Sequence, residues 1–300
     1  MARDLCVRLV ICAALAIAAG VSGTAGAQAA TTLPLIRARS LAAGAPVKVF
    51  FPSGQIRIEA WDHDSIEVRG RIPRVEQFFM AGDRNGVKLG IDDHPDGSEV
   101  RPGDIVLRVP RGSQLSVKTV SAAITGDDVS GWFYTVSGVI RLSGTASSVE
   151  AESMAGDVYL DVTVPWERAR TGGGRLVVTG APADLDAATV RGSLDVQSAA
   201  VRRGRFASVE GDIRYTGLPD ADGVFEFSNH SGAVELLLPR GVSATLELSS
   251  ITGTIENGFT PVRAAAGAGG HGGTLRVRLG GGGSRMTVRT FKGTIRLQPR

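Results

Sequence analysis

Seven side chains could meet a ligand in one line: Tyr159, Asp195, Arg214, Glu235, Glu256, Arg276 and Arg296. Each is the third residue after a glycine in a recurring Gly-x-apolar-x-apolar string. That position points outward if the string is a strand with one buried face. Stacked at strand spacing, about 4.8 Å apart, Asp195–Arg214–Glu235 and Glu256–Arg276 would form an alternating charge ladder. Glu235 and Glu256 would then approach the separation of a retaining glycosidase's carboxylate pair. Flanking arginines would hold both ionised, which leaves no general acid. Side chains repeating at this spacing can match a repeating polymer, such as a glycan or an extended peptide. The alternatives are a solvated charge ladder that only keeps a long sheet soluble and discourages edge pairing, and, less favoured, a polysaccharide-active β-helix enzyme.

No other residues assemble into a catalytic set. His63, His94 and His271 fall in separate loops, His230 sits in an apolar column two residues before a glycine, and no two histidines share metal-ligand spacing. No nucleophile elbow occurs. Gly267-Ala-Gly269-Gly-His-Gly272 matches G-x-G-x-x-G as a string but opens no helix, so it reads as a linker. Asp92-Asp93-His94-Pro95-Asp96-Gly97 has the flavour of a calcium loop. It puts His94 where an oxygen is wanted and Gly103 where the bidentate Glu belongs, so a hairpin tip is expected and weak metal binding is the alternative. Asn229-His230-Ser231 has the form of a glycosylation sequon at a repeat corner. No catalytic residue, metal site or cofactor is expected.

The glycine strings must position the column. They open at Gly54, Gly138, Gly156, Gly174, Gly192, Gly211, Gly232, Gly253, Gly273 and Gly293. From Gly138 onward the spacings are 18, 18, 18, 19, 21, 21, 20 and 20. The second residue after each glycine is Ile56, Ile140, Val158, Leu176, Leu194, Ile213, Val234, Ile255, Leu275 or Ile295, always aliphatic in a chain only 43% hydrophobic. Three residues before the glycine stand Thr135, Ser153, Thr171, Thr189, Ser208, Asn229, Ser250 and Thr290. The apolar parity shifts around them, which implies a bend whose small polar residue bonds its own backbone or a stacked neighbour. The glycine is expected to supply positive φ at the corner. One unit of this length cannot bury its apolar face alone, whereas stacked units bury a continuous core. The expected fold class is all-β: a β-solenoid of glycine-anchored repeats over 115–300, preceded by a strand-rich N-terminal cap over 45–114.

Residues 1–27 read as a signal peptide. Arg3 and Arg8 precede an apolar run from Leu9 to Gly20, and Ala25-Gly26-Ala27 is a small-residue cleavage site. Both cysteines, Cys6 and Cys12, lie in that segment, so the exported chain has no disulfide to lean on. Residues 28–44 read as a disordered leader, and Ala264–Gly273 as a flexible Gly/Ala loop. No membrane span follows. The net charge of +3 is spread among interleaved acids and bases, unlike a nucleic-acid-binding profile. The expected location is periplasmic or secreted.

The opening Val47-Lys-Val-Phe-Phe-Pro-Ser-Gly54-Gln-Ile-Arg-Ile-Glu-Ala-Trp61 and the later Ser/Thr-x-x-Gly-x-Ile/Val-x-Leu repeats carry a resemblance. Over nearly all of 45–300 they resemble the bacterial putative-adhesin family of β-strand-repeat proteins, a domain of unknown function related to the toast-rack domains of envelope-stress proteins. The resemblance implies a non-catalytic, adhesin-like binding or scaffold module of the cell envelope. The alternative it implies is an accessory of an envelope-stress regulatory system. The expected partner is an envelope protein or a glycan, not nucleic acid.

Overall fold

The computed structural model describes residues 32–91, 101–198, 201–267 and 271–300. Among them the protein is all-β: 26 strands share one continuous sheet around a single apolar core, with one short 3-10 turn at Val75–Gln77. The signal-peptide segment and the Asp92–Gly97 loop lie outside the described residues.

Two parallel ladders make up most of the sheet, and antiparallel strands extend it at its ends. The downstream ladder collects the strands that follow the glycines, in the spatial order Gly54–Trp61, Ala123–Asp127, Ile140–Thr145, Val158–Thr171, Leu176–Val178, Leu194–Gln197, Ile213–Thr216 and Val234–Leu238, all parallel. The upstream ladder collects the strands that precede them, from Pro46–Phe50 through Gln114–Lys118, Ser130–Thr135, Val149–Ser153, the far half of Val158–Thr171, Ala181–Thr189 and Arg203–Ser208 to Val224–Asn229. Equivalent repeat positions face each other in register, as in Ile140↔Val158 and Ile213↔Val234. Ile56, Ile140, Val158, Leu176, Leu194, Ile213, Val234 and Ile295 are buried as their alternation requires.

The corners join the ladders. Ser153 Oγ, Ser208 Oγ and Thr290 Oγ1 accept the N–H of the glycine three residues on, at 2.8, 2.9 and 3.0 Å. Thr171 Oγ1 donates to the Gly156 carbonyl one strand back at 2.9 Å. Thr171 also accepts from Gly174 N at 3.1 Å and so serves both its own turn and its neighbour, whereas the Thr189 hydroxyl is buried with no hydrogen-bond partner. Asn229 fills the same place, donating to Gly211 O at 3.0 Å, so the sequon's amide is buried and engaged.

The reason for the glycines differs from the expected one. Only Gly54 (φ 107°) and Gly232 (φ 115°) of the repeat glycines have positive φ. The rest are there for close approach. A Cβ on Gly156, Gly174, Gly192, Gly211 or Gly293 would overlap the carbonyl oxygen of the corner glycine on the adjoining strand.

Three expectations are corrected. The leader assigned to 28–44 contains a strand, Leu33–Ser40, paired antiparallel with Ser65–Ile72. It is an edge strand with only Leu35 buried, so it carries no alternation to read. Pro34, Arg37 and Arg39 suit an edge that must not recruit another chain. The Gly273 copy is not a stacked repeat. Gly273–Leu279 turns back antiparallel on Ala244–Ser250, and Ala265–Ala266 pairs with its start, inside the segment expected to be a loop. Finally, the stack does not follow chain order at its end. Ser284–Thr290 lies between Val224–Asn229 and Ala244–Ser250, and Ile295–Pro299 lies between Val234–Leu238 and Ile255–Asn257.

Two pairs of substitutions test this architecture by thermal or denaturant unfolding. Ile213 is 1% exposed, and Ile213→Asp should cost several kcal/mol by burying an unpaired carboxylate. Its neighbour Arg214 is exposed in an ion pair, and Arg214→Ala should cost under about 1 kcal/mol. Equal losses would reverse the inward and outward assignment. Likewise Gly192→Ala should destabilise clearly, while Gly173→Ala, where a Cβ meets nothing within 4 Å, should be near neutral.

Candidate functional site

In the downstream ladder the third residue after each glycine falls in one outward line. Registers run Arg57, Thr125, Arg141, Tyr159, Val177, Asp195, Arg214, Glu235, Arg296, Glu256. Six of the seven expected site residues share this line. Arg276 does not: on its antiparallel strand it faces Glu247 and pairs with that carboxylate instead.

The intercalated C-terminal strand changes the charge order. Glu235 and Glu256 are not adjacent, because Arg296 stands between them. The sequence of signs becomes Asp195, Arg214, Glu235, Arg296, Glu256, alternating throughout. Arg214 Nε donates to Glu235 Oε2 at 2.8 Å, and Arg296 Nε to Glu256 Oε2 at 3.0 Å. Chain-order stacking would have set two carboxylates side by side, a destabilising arrangement on a strand face. The glycosidase-like pair is thereby dismantled, since each carboxylate is bound to an arginine.

The other half of the line is built differently. An open groove of about 610 Å³ runs over it, from Arg57 past Thr125, Arg141 and Tyr159 to Val177. Thr125 and Val177 are short, so the surface dips on either side of the Arg141–Tyr159 pair. The Arg141 guanidinium lies 4.5 Å from the Tyr159 ring centroid. The Tyr159 hydroxyl donates to Asp157 Oδ2 at 2.9 Å, and that carboxylate raises the phenol above its usual range. Two residues further along the same strands come Asp127, Ser143, Asp161 and Thr179. Ser143 Oγ donates to Asp127 Oδ1 at 3.0 Å. Among the described residues neither Asp161 nor Arg141 has an ion-pair partner, in contrast to Arg57, which is bonded to Glu59 at 2.8 Å. No cluster able to hold a metal occurs among the described residues.

The upstream ladder carries a second charged line that the glycine string does not reveal. It runs Glu150, Arg168, Asp186, Arg205, Glu226, six residues before each glycine. The column two residues before the glycines also lies outside the core. Val120, Met154, Val190, Val209, Phe291 and Ile251 form an exposed apolar ridge along the corner, with Met154 at 58% and Ile251 at 60%. His230 belongs to that ridge, stacked on Phe291 with centroids 4.9 Å apart.

No family model and no curated protein matches this sequence. Solved structures do. A protein of Parabacteroides distasonis described as a putative lipid binding protein matches with TM-score 0.55 at 11% identity, over 88% of this chain and 96% of that one. A putative adhesin of Parabacteroides merdae matches with TM-score 0.51 at 9% identity, over 88% and 95%. A putative adhesin of Bacteroides fragilis gives 0.44 at 13%, over 90% and 99%. The fold is that of the putative adhesins. At these identities the likeness concerns architecture alone. Among the described residues no helix is long and apolar enough to cross a membrane.

One residue of this adhesin-like fold breaks its own pattern. Glu167 points inward between Val149 and Leu185, fully buried, with neither carboxylate oxygen hydrogen-bonded. It is the only charged residue type in the described buried set. Desolvation pushes its pKa from 4.5 to about 8. Below about 4.5 both folded and unfolded chains keep the proton, and between the two values only the folded chain does. Stability should therefore fall as pH rises through that window, by about 1.4 kcal/mol per unit at most, and level off above it. Glu167→Gln removes the titration. Its stability relative to wild type should rise by several kcal/mol between pH 5 and pH 8, read as denaturant midpoints. A pH-independent difference would place the carboxylate in contact with solvent.

Proposed function

We propose that this protein is a non-catalytic binding module of the bacterial cell envelope, a β-solenoid that meets its ligand on the outward face of the strands following the corners. The observation that carries this reading is the groove over Arg57, Arg141 and Tyr159, where the surface is concave and where Arg141 and the neighbouring Asp161 have no ion-pair partner among the described residues. Tyr159 is the central contact. Beyond Asp195, Arg214 with Glu235 and Arg296 with Glu256 extend the same face as an ion-paired flank along which a long ligand continues. Fold likeness to proteins described as putative adhesins supports a binding role, and the export signal read at residues 1–27 supports the envelope as its setting. An accessory role in an envelope-stress system would use the same face against a protein partner.

A second reading, contact with lipid, is favoured by the exposed ridge of Val120, Met154, Val190, Val209, Phe291 and Ile251. It agrees with the description of the Parabacteroides distasonis protein.

Capture from intact envelope, with the exported chain as bait, separates these readings. A folded Arg141→Ser/Tyr159→Ser variant should lose most of the wild-type capture. Arg214→Ser/Glu235→Ser/Glu256→Ser should lose less. Capture that survives both sets would sink the face as a ligand surface. Lipid-vesicle capture that depends on Met154 and Ile251 but not on Tyr159 would favour the ridge instead.

A further inference from the structure

The groove's ligand can be narrowed by what its walls can and cannot recognise. We infer that it binds a β-linked glycan lying along the stacking axis, across the strands rather than along one of them. This rests on the outward face being the ligand surface.

The groove crosses five neighbouring strands, from Gly54–Trp61 to Leu176–Val178. At about 4.8 Å per strand it is roughly 19 Å long. Every one of these strands is paired on both sides. An extended peptide is normally gripped by main-chain pairing at an open sheet edge, and no edge is on offer here. Recognition falls to side chains alone, which is how sugars are held.

The side chains suit hydroxyl groups. Arg57 and Arg141 stand two strands apart in one line, and Asp127 and Asp161 stand two strands apart in the line beside it, with Ser143 between them. Guanidinium groups only donate and carboxylates only accept. A sugar hydroxyl does both, so one ring can accept from the first line and donate to the second. The two carboxylates offset the two guanidinium groups, so the groove has no net charge to draw a polyphosphate or polyanionic chain. The two-strand repeat is about 9.6 Å, whereas a peptide strand repeats its side-chain direction over about 6.6 Å. An extended β-linked glycan repeats every two sugars over a length close to the former. Tyr159, its edge fixed by Asp157 and one face covered by Arg141, provides an aromatic wall beside the short Val177 against which a sugar's C–H face can lie.

Calorimetric titration of the full exported chain with cellotetraose and with chitotetraose tests this, with α-linked maltotetraose as control. At least one β-linked tetraose should bind, at least tenfold tighter than its disaccharide and than maltotetraose. Tyr159→Ala and Asp161→Asn, each with a wild-type circular dichroism spectrum and melting curve, should each weaken it at least tenfold. Absence of binding by both β-linked tetraoses, or binding indifferent to Tyr159, would overturn the inference. If an envelope peptide or protein binds in a Tyr159-dependent way while neither tetraose does, the glycan falls and the face survives. If no captured ligand depends on Arg141 or Tyr159, both fall together.

Discussion

The structure depends on a close backbone contact at its glycine corners: at Gly156, Gly174, Gly192, Gly211 and Gly293 one strand's carbonyl oxygen sits where the next strand's Cβ would be. Backbones can approach this closely at the bend only if the side chain is absent. Once they do, the Ser or Thr hydroxyl three residues upstream can reach both its own glycine N–H and the neighbouring carbonyl. Thr171 does both, donating to Gly156 O at 2.9 Å and accepting from Gly174 N at 3.1 Å. Register is then fixed at every corner, so residues at equal distance from the glycine fall into lines that run the length of the ladder. Inward lines become core. Outward lines become ladders of whatever side chains the sequence puts there.

A line of outward side chains about 4.8 Å apart imposes an electrostatic constraint. Like charges at that spacing repel, so a long line must alternate or be interrupted by neutral residues. The C-terminal strand obeys this by slipping Arg296 between Glu235 and Glu256. The hairpin of Ala244–Ser250 with Gly273–Leu279 leaves room for that insertion and pairs Arg276 with Glu247 on the other face. Each such exposed pair contributes at most about 1 kcal/mol. Together they keep a broad flat face charged and solvated.

Much of this was legible from the repeat. Aliphatic residues two and four places after the glycine are core because strand alternation leaves them no other direction. At Ser153, Thr171, Ser208 and Thr290 the small polar residue bonds its own corner as its chemistry requires, while Thr189 leaves its hydroxyl unpartnered. The remainder lies where the repeat weakens or beyond the residues of the glycine string. Leu33–Ser40 is an edge strand and shows no alternation. Gly273-Thr-Leu-Arg-Val matches the motif, but a motif of local residues cannot tell a parallel neighbour from an antiparallel one. Glu167 stands seven residues before Gly174, in line with Val149 and Leu185. At that position it is a lone acid between apolar neighbours. The groove was hidden because Asp127 and Asp161 lie five residues past the corner, outside the string, and because the Thr125 strand has Ala122 where the others have glycine.

The division of the outward line into two halves follows from the same constraint. Between Asp195 and Glu256 the signs alternate, and Arg214 and Arg296 are engaged by carboxylates, so a ligand would have to displace existing pairs. Between Arg57 and Val177 the alternation fails. Thr125 and Val177 carry no charge, Arg141 has a ring for a neighbour instead of an acid, and Asp161 is left without a cation. Here Arg141 and Asp161 gain no stabilisation from an ion pair, and this is also where the surface becomes concave. Charged groups whose interactions are unsatisfied within the fold are the ones with binding free energy left to give. In the proposed reading, the paired length of the line keeps the β-stack charged and the length over the groove meets the ligand.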